Sequence, residues 1–183
     1  MTLTNQKIES LLALCQKGNS LAQLEVYNRY HKAMYNTALR IVKNTAEAED
    51  VMQESFIAAF SKLDSFKGNA TFGSWLKRIV VNNSIVHYRK SLRYTEFPEY
   101  GIKEDVAESY GMDSEDYASI QLERLQSCMK SLHESYQNIL TLHFIEGYDY
   151  EEICEILNIS YANCRTLISR AKESLRTKLM IPV

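Results

Sequence analysis

Between Tyr161 and the C-terminus stand five basic residues, Arg165, Arg170, Lys172, Arg176 and Lys178, against the single acid Glu173. The whole chain has a formal net charge of −2, so this basic run is built against the average. Cations spaced along one segment can hold phosphates. The short side chains between them, Ala162, Asn163, Thr166 and Ser169, let a backbone approach the edge of a base. The geometry such chemistry needs is readable just upstream. Ile153, Ile156 and Leu157 make the apolar side of a short helix, and "NIS" interrupts it. Asn158 suits a left-handed residue in a tight turn, and Ser160 suits the cap of the next helix. Cys164, Ile168, Ala171 and Leu175, at i, i+4, i+7 and i+11, form the buried side of that helix. This is a helix-turn-helix pattern, whose second helix lies in a major groove while basic flanks hold phosphates.

A second group of residues sits in the first half. Arg78, Asn82 and Arg89 share one outward helical face, at i, i+4 and i+11. The acidic set Asp50, Gln53 and Glu54 lies in an otherwise basic stretch; it suits a basic protein surface rather than DNA. Catalytic chemistry finds no residues to carry it. No glycine-rich phosphate loop, HExxH or GxSxG occurs, and His31, His87, His133 and His143 lack metal-ligand spacing. Cys15, Cys128, Cys154 and Cys164 form no CxxC pair, which points away from zinc or a disulfide framework and toward a reducing compartment. The expectation is therefore a non-enzyme without metal or cofactor.

The elements that would position these residues follow from periodicity. Tyr27, Tyr30, Met34, Ala38 and Ile41 recur at helical spacing. "TAEAEDVMQESFIAAFSKL" opens with a plausible Thr45 cap and carries Met52, Phe56, Ala59, Phe60 and Leu63 on one stripe. "DSFKGNAT" reads as a turn, and the helix after it places Phe72, Trp75, Leu76, Ile79 and Val86 inward. Three further periodic segments follow after residue 119, and nowhere does an alternating strand pattern persist. The fold class is all-α.

Charge divides the chain. Residues 1–95 hold 13 Lys+Arg and 7 Asp+Glu, a net +6; residues 96–119 hold 8 acids and Lys103, a net −7; residues 120–183 hold 7 bases and 8 acids, a net −1. The reading is two small helical domains, 1–95 and 120–183, the second a helix-turn-helix domain, joined by a flexible acidic linker over 96–119. A tether of that length has a root-mean-square span of roughly 25–30 Å. The N-terminus lacks a charged start followed by a long apolar run, and nothing approaches the ~20 apolar residues of a membrane span. A cytoplasmic protein without membrane insertion is expected.

The segment "AEAEDVMQESFIAAFSKLDSFKGNATFGSWLKRIVVNNSIVHYRK" resembles region 2 of bacterial sigma factors of the extracytoplasmic-function (ECF) group of the sigma-70 family. "MKSLHESYQNILTLHFIEGYDYEEICEILNISYANCRTLISRAKESLRTKL" resembles their region 4. The resemblance runs from about Leu11 to Leu179 and implies a protein that binds core RNA polymerase and directs it to promoters. It implies that Asp50, Gln53 and Glu54, within "ED-x-x-QE", dock on a coiled coil of the polymerase. It assigns the −10 element to the loop Lys67, Asn69 and Ala70, which would capture an unstacked base, and to the face Arg78, Asn82 and Arg89. It assigns the −35 element to Ala162, Asn163, Arg165, Thr166, Ser169, Arg170, Lys172 and Arg176. The implied partners are promoter DNA, as duplex and melted strand, and an anti-sigma factor. The chain departs from the family where "ANCRTLI" replaces a common "G-T-V-K-S-R-L", putting Leu167 at a usually basic position, and where His133 takes a common Pro site. Two other readings compete: a dimeric helix-turn-helix regulator of duplex DNA that is no polymerase subunit, and a helical module whose basic face meets an acidic protein. The first leaves the acidic Asp50, Gln53 and Glu54 face and the connector unemployed.

Overall fold

The computed structural model describes residues 3–94 and 116–180, and every element in them is helical. The chain divides into two compact units, Met1–Tyr94 and Thr95–Val183. Most of the acidic segment expected to act as a linker lies outside the described residues, and its last residues, from Asp116, already open a helix.

Unit one holds α1 (Ile8–Gln16), α2 (Ser20–Val42), α3 (Thr45–Ser61) and α4 (Phe72–Tyr94). The long α2 packs against each of the other three, and α3 packs on α4. Leu11, Val26, Ala38, Val51, Phe56, Leu76 and Val80 fill the space between them, with Tyr27, Tyr30 and Trp75 half-buried around that core. Local chemistry sets the helix ends. The Asn19 side chain accepts from the Ala22 N–H at 3.0 Å and starts α2. Lys43 ends it in the left-handed region, φ 59°. Asn44, not Thr45, then caps α3, accepting from the Glu47 N–H at 3.1 Å. Asn44 has the extended backbone a cap requires, while Thr45 is already the first helical residue.

Val86 was expected inward and is 50% exposed. The buried stripe of α4 runs through Leu76, Val80, Val81, Ser84 and Ile85, and Val86 lies about 100° round the helix from Ile85. Two fully buried serine hydroxyls of unit one are satisfied locally. Ser55 donates to the Val51 carbonyl at 2.6 Å and Ser84 to the Val80 carbonyl at 2.8 Å.

Unit two holds α5 (Asp116–Lys130), α6 (Glu134–Leu140), a π-helical turn (Thr141–Ile145), α7 (Tyr150–Leu157) and α8 (Tyr161–Met180). Helix α8 packs on α5, α6 and α7. Ile139, Leu140, Leu142, Ile153, Cys164, Ile168 and Ala171 are its buried core, whereas Leu175 is only half-buried. His133 caps α6: its Nδ1 accepts from the Ser135 N–H at 3.3 Å. A proline there would offer no such acceptor. Asp149 and Glu152 form a reciprocal capping box at the start of α7, with distances of 2.8 and 3.0 Å. Asn158 ends α7 at φ 47° and ψ 54°, the left-handed turn its side chain tolerates.

Candidate nucleic-acid interface and acidic docking face

Helix α8 follows the turn directly, and Ser160 Oγ accepts from the Asn163 N–H at 3.3 Å. Cys164, Ile168 and Ala171 anchor its inner side, which forces Ala162, Asn163, Arg165, Thr166, Ser169 and Arg170 into solvent. Ala162, Arg165, Thr166, Ser169 and Arg170 line one shallow open depression; Ile159, Asn163, Thr166, Leu167 and Arg170 line another beside it. Thr166 and Arg170 stand on the ridge between them. The Thr166 hydroxyl donates to the Ala162 carbonyl at 2.9 Å, so it meets a ligand as an acceptor and a methyl group.

Two of the expected basic residues stand apart from this set. Lys172 is turned against the protein, with its Nζ 5.0 Å from the centroid of the Phe144 ring. Arg176 is exposed beside Glu173, N–O 3.6 Å, and lies about 16 Å along the helix from Arg165.

In unit one, Lys67, Gly68, Asn69 and Ala70 form an exposed arch ahead of α4. Gly68 takes φ +73°, a conformation that side chains other than Asn or Gly adopt at a cost. The arch rests on an aromatic platform: Phe66 to Phe72 is 5.8 Å between centroids, Phe66 to Trp75 5.4 Å and Phe72 to Trp75 5.7 Å. Thr71 closes it, its Oγ1 accepting from the Ser74 N–H at 3.2 Å. Along α4, Asn82 and Arg89 are exposed and Arg78 is half-buried. Trp75 belongs to the platform, and so to the packing that holds the arch.

Asp50, Gln53 and Glu54 are exposed on α3, and Gln53 Nε2 donates to Glu49 Oε1 at 3.4 Å. The structure adds a residue that sequence reasoning missed. Ile57, 70% exposed, continues the same stripe one turn beyond Gln53 and Glu54. Its spacing was visible, but an isoleucine beside Phe56 is ordinarily assigned inward. The two faces of unit one are held together by a side-chain contact: Asn83 Nδ2, next to Asn82, donates to the buried Ser55 Oγ at 3.0 Å, next to Glu54. His87 Nδ1 and Glu47 Oε2, 3.5 Å apart, add a second link between α3 and α4.

Burial raises the Cys15 thiol, against its own backbone hydrogen bond. Burial first, then the neighbouring Cys154, pushes the Cys164 thiol up to about 11. Among the described residues no three His, Cys, Asp or Glu side chains gather as a metal ligand set, and no helix is long and apolar enough to cross a membrane.

Residues 26–94 match the family described as Sigma-70 region 2, and residues 122–175 match Sigma-70, region 4. The chain is 30% identical over 185 residues to the ECF RNA polymerase sigma factor SigW of Bacillus subtilis (strain 168), covering 94% of this chain and 96% of that one. It is 29% identical over 181 residues to the ECF RNA polymerase sigma-E factor of Haemophilus influenzae, covering 93% and 94%. Among solved structures it is similar to CnrH in complex with the cytosolic domain of CnrY, with a TM-score of 0.53, 25% identity and coverage of 92% and 94%. It also shares the fold of the sigma factor RpoE, co-crystallised with the anti-sigma factor NepR from Bartonella quintana. That match has a TM-score of 0.61, 22% identity and coverage of 87% and 97%.

Proposed function

This chain belongs to the ECF group of RNA polymerase sigma factors, in the sigma-70 family, and from that premise we propose how its two units divide the work of transcription initiation. The exposed stripe Asp50, Gln53, Glu54 and Ile57 of α3 docks on a basic surface of core RNA polymerase, charge giving orientation and Ile57 giving buried apolar area. The arch Lys67, Asn69 and Ala70 receives a base of the melted non-template strand, and Arg78, Asn82 and Arg89 line the adjoining helix face at the −10 element. In unit two, Ala162, Asn163, Arg165, Thr166, Ser169 and Arg170 read the −35 duplex. Lys172 acts from behind, through Phe144, and Arg176 meets phosphate farther along the helix.

The observation that carries this reading is the opposition inside unit one. An acidic stripe with an exposed isoleucine occupies one helix, and a basic, amide-bearing face occupies the helix packed beside it. A duplex-binding regulator has no use for the first. One such basic helix holds non-specific DNA at only about 10⁻⁴–10⁻⁶ M at physiological salt, so mounting on the polymerase supplies the missing affinity. The protein acts in the cytoplasm, where polymerase and DNA are, and catalyses no reaction of its own. An anti-sigma partner that covers these faces would silence it; the structurally similar RpoE is itself co-crystallised with an anti-sigma factor.

Run-off transcription tests the reading. Core polymerase with the full chain initiates at promoters that core polymerase alone ignores, and a charge-reversed Asp50→Lys/Glu54→Lys chain no longer co-purifies with core. Failure of the unaltered chain to associate with core overturns it.

A further inference from the structure

The two depressions on the outer side of α8 differ in chemistry. The first is lined by Arg165 and Arg170, with only the small side chains Ala162, Thr166 and Ser169 between them. It offers charged donors. The second sets two branched aliphatic side chains, Ile159 and Leu167, beside Asn163, Thr166 and Arg170. The promoter reading gives neither aliphatic residue a role. Both are half-buried and border the depression, so part of each remains open to a ligand.

The fold holds these groups in place. Ile159 belongs to the turn, where its N–H donates to the Cys154 carbonyl at 3.1 Å. Leu167 follows the buried Cys164 by about one helical turn and precedes the buried Ile168, which puts it at the margin of the covered side of α8. The Thr166 hydroxyl donates to the Ala162 carbonyl at 2.9 Å, and that bond fixes the rotation of the side chain and the direction of its methyl group. Two aliphatic side chains and a threonine thus border one hollow, on a face otherwise made of cations, an amide and small side chains.

We propose that this hollow receives the 5-methyl group of a thymine in the −35 duplex, and that Ile159, Leu167 and the Thr166 methyl set the preference for that base. The inference rests on the assignment of α8 to the −35 element. Thymine alone carries an apolar group on its major-groove edge. Purines place the N7 acceptor there, and cytosine an amino donor. Against Ile159 and Leu167, which neither donate nor accept, those polar atoms lose water and gain no partner. Arg170 borders both depressions, so the thymine lies beside the guanine or phosphate that Arg170 holds. The arginines thus supply attraction, and the aliphatic pair supplies a choice among bases.

The test uses the full chain assembled with core polymerase. This holoenzyme selects −35 elements from a pool of duplexes of randomised sequence, and the selected element is resynthesised with deoxyuridine in place of each thymidine in turn. Uracil lacks only the methyl group. Binding should weaken about fourfold at one position, the worth of one buried methyl-sized group, and by much less at the others. Leu167→Ala should bind the thymidine and deoxyuridine forms to within about twofold of each other. Thr166→Ser, which keeps the hydroxyl and loses the methyl, should narrow the difference in the same direction. Arg165→Ala should weaken binding to both forms and keep the difference between them. A selected element without thymine, tolerance of deoxyuridine at every position, or a difference that persists undiminished in both Leu167→Ala and Thr166→Ser overturns the proposal and leaves the promoter reading standing. Selection of no −35 element at all overturns both.

Discussion

Unit one builds its core from helices of 23, 17 and 23 residues, α2, α3 and α4. Unit two depends on α6 and α7, of 7 and 8 residues, which would not hold as isolated helices. The short helices carry dense terminal chemistry: the His133 cap, the Asp149–Glu152 box, the left-handed Asn158 and the Ser160 cap fall within one stretch of chain. Unit one can spread two different faces over two long helices, acidic on α3 and basic on α4, and join them through Ser55 and Asn83. Unit two presents its basic face on a single helix, α8, whose placement depends on the turn before it. Packing therefore governs the first unit, and caps and the turn govern the second.

The largest effect should come from breaking the packed core. Leu76→Ala should cost unit one about 2–5 kcal/mol, seen in denaturant unfolding followed by the fluorescence of Trp75, the only tryptophan, which stands against Phe66 and Phe72. A shift under 1 kcal/mol would mean that packing does not dominate there. The next test separates the cations of α8. Arg170→Ala should weaken holoenzyme binding to the −35 element by about 1–3 kcal/mol and lower the salt slope by about one. Lys172→Ala should leave that slope unaltered, because its ammonium faces Phe144. Equal slopes for the two variants would erase the distinction.

Cap removal is expected to be smaller. Asp149→Ala should cost unit two about 1 kcal/mol, read from thermal melts by circular dichroism. It removes the Asp149 side-chain acceptor and leaves the bond from the Asp149 N–H to Glu152 Oε2, so adding Glu152→Ala, which removes that second bond, should cost somewhat more.

The last effect is absent at neutral pH and appears only in alkali. Burial first, then the neighbouring Cys154, pushes the Cys164 thiol in the folded chain up to about 11, from an ordinary value of 9.0. Between those values the unfolded chain has released its proton and the folded one has not. The stability this group contributes is complete below about pH 9 and is lost as pH rises toward 11. Cys164→Ala should flatten that slope in unit two, and an unchanged slope would remove the thiol from the account.

Sequence alone determined what depends on neighbours within about four residues. That includes the all-helical periodicity, the left-handed Asn158, the Ser160 cap and the exposure of Ala162, Asn163, Arg165, Thr166, Ser169 and Arg170, which follows from the buried Cys164, Ile168 and Ala171 opposite them. Tertiary structure decided what depends on the element lying over a side chain. It turned Lys172 onto Phe144, left Ile57 and Val86 in solvent, gave the α3 cap to Asn44 and brought Asn83 to Ser55. Periodicity says which residues share a helix face. Only the packing of one helix on another decides how wide the covered part of that face is, and so whether a residue at its margin meets core or water.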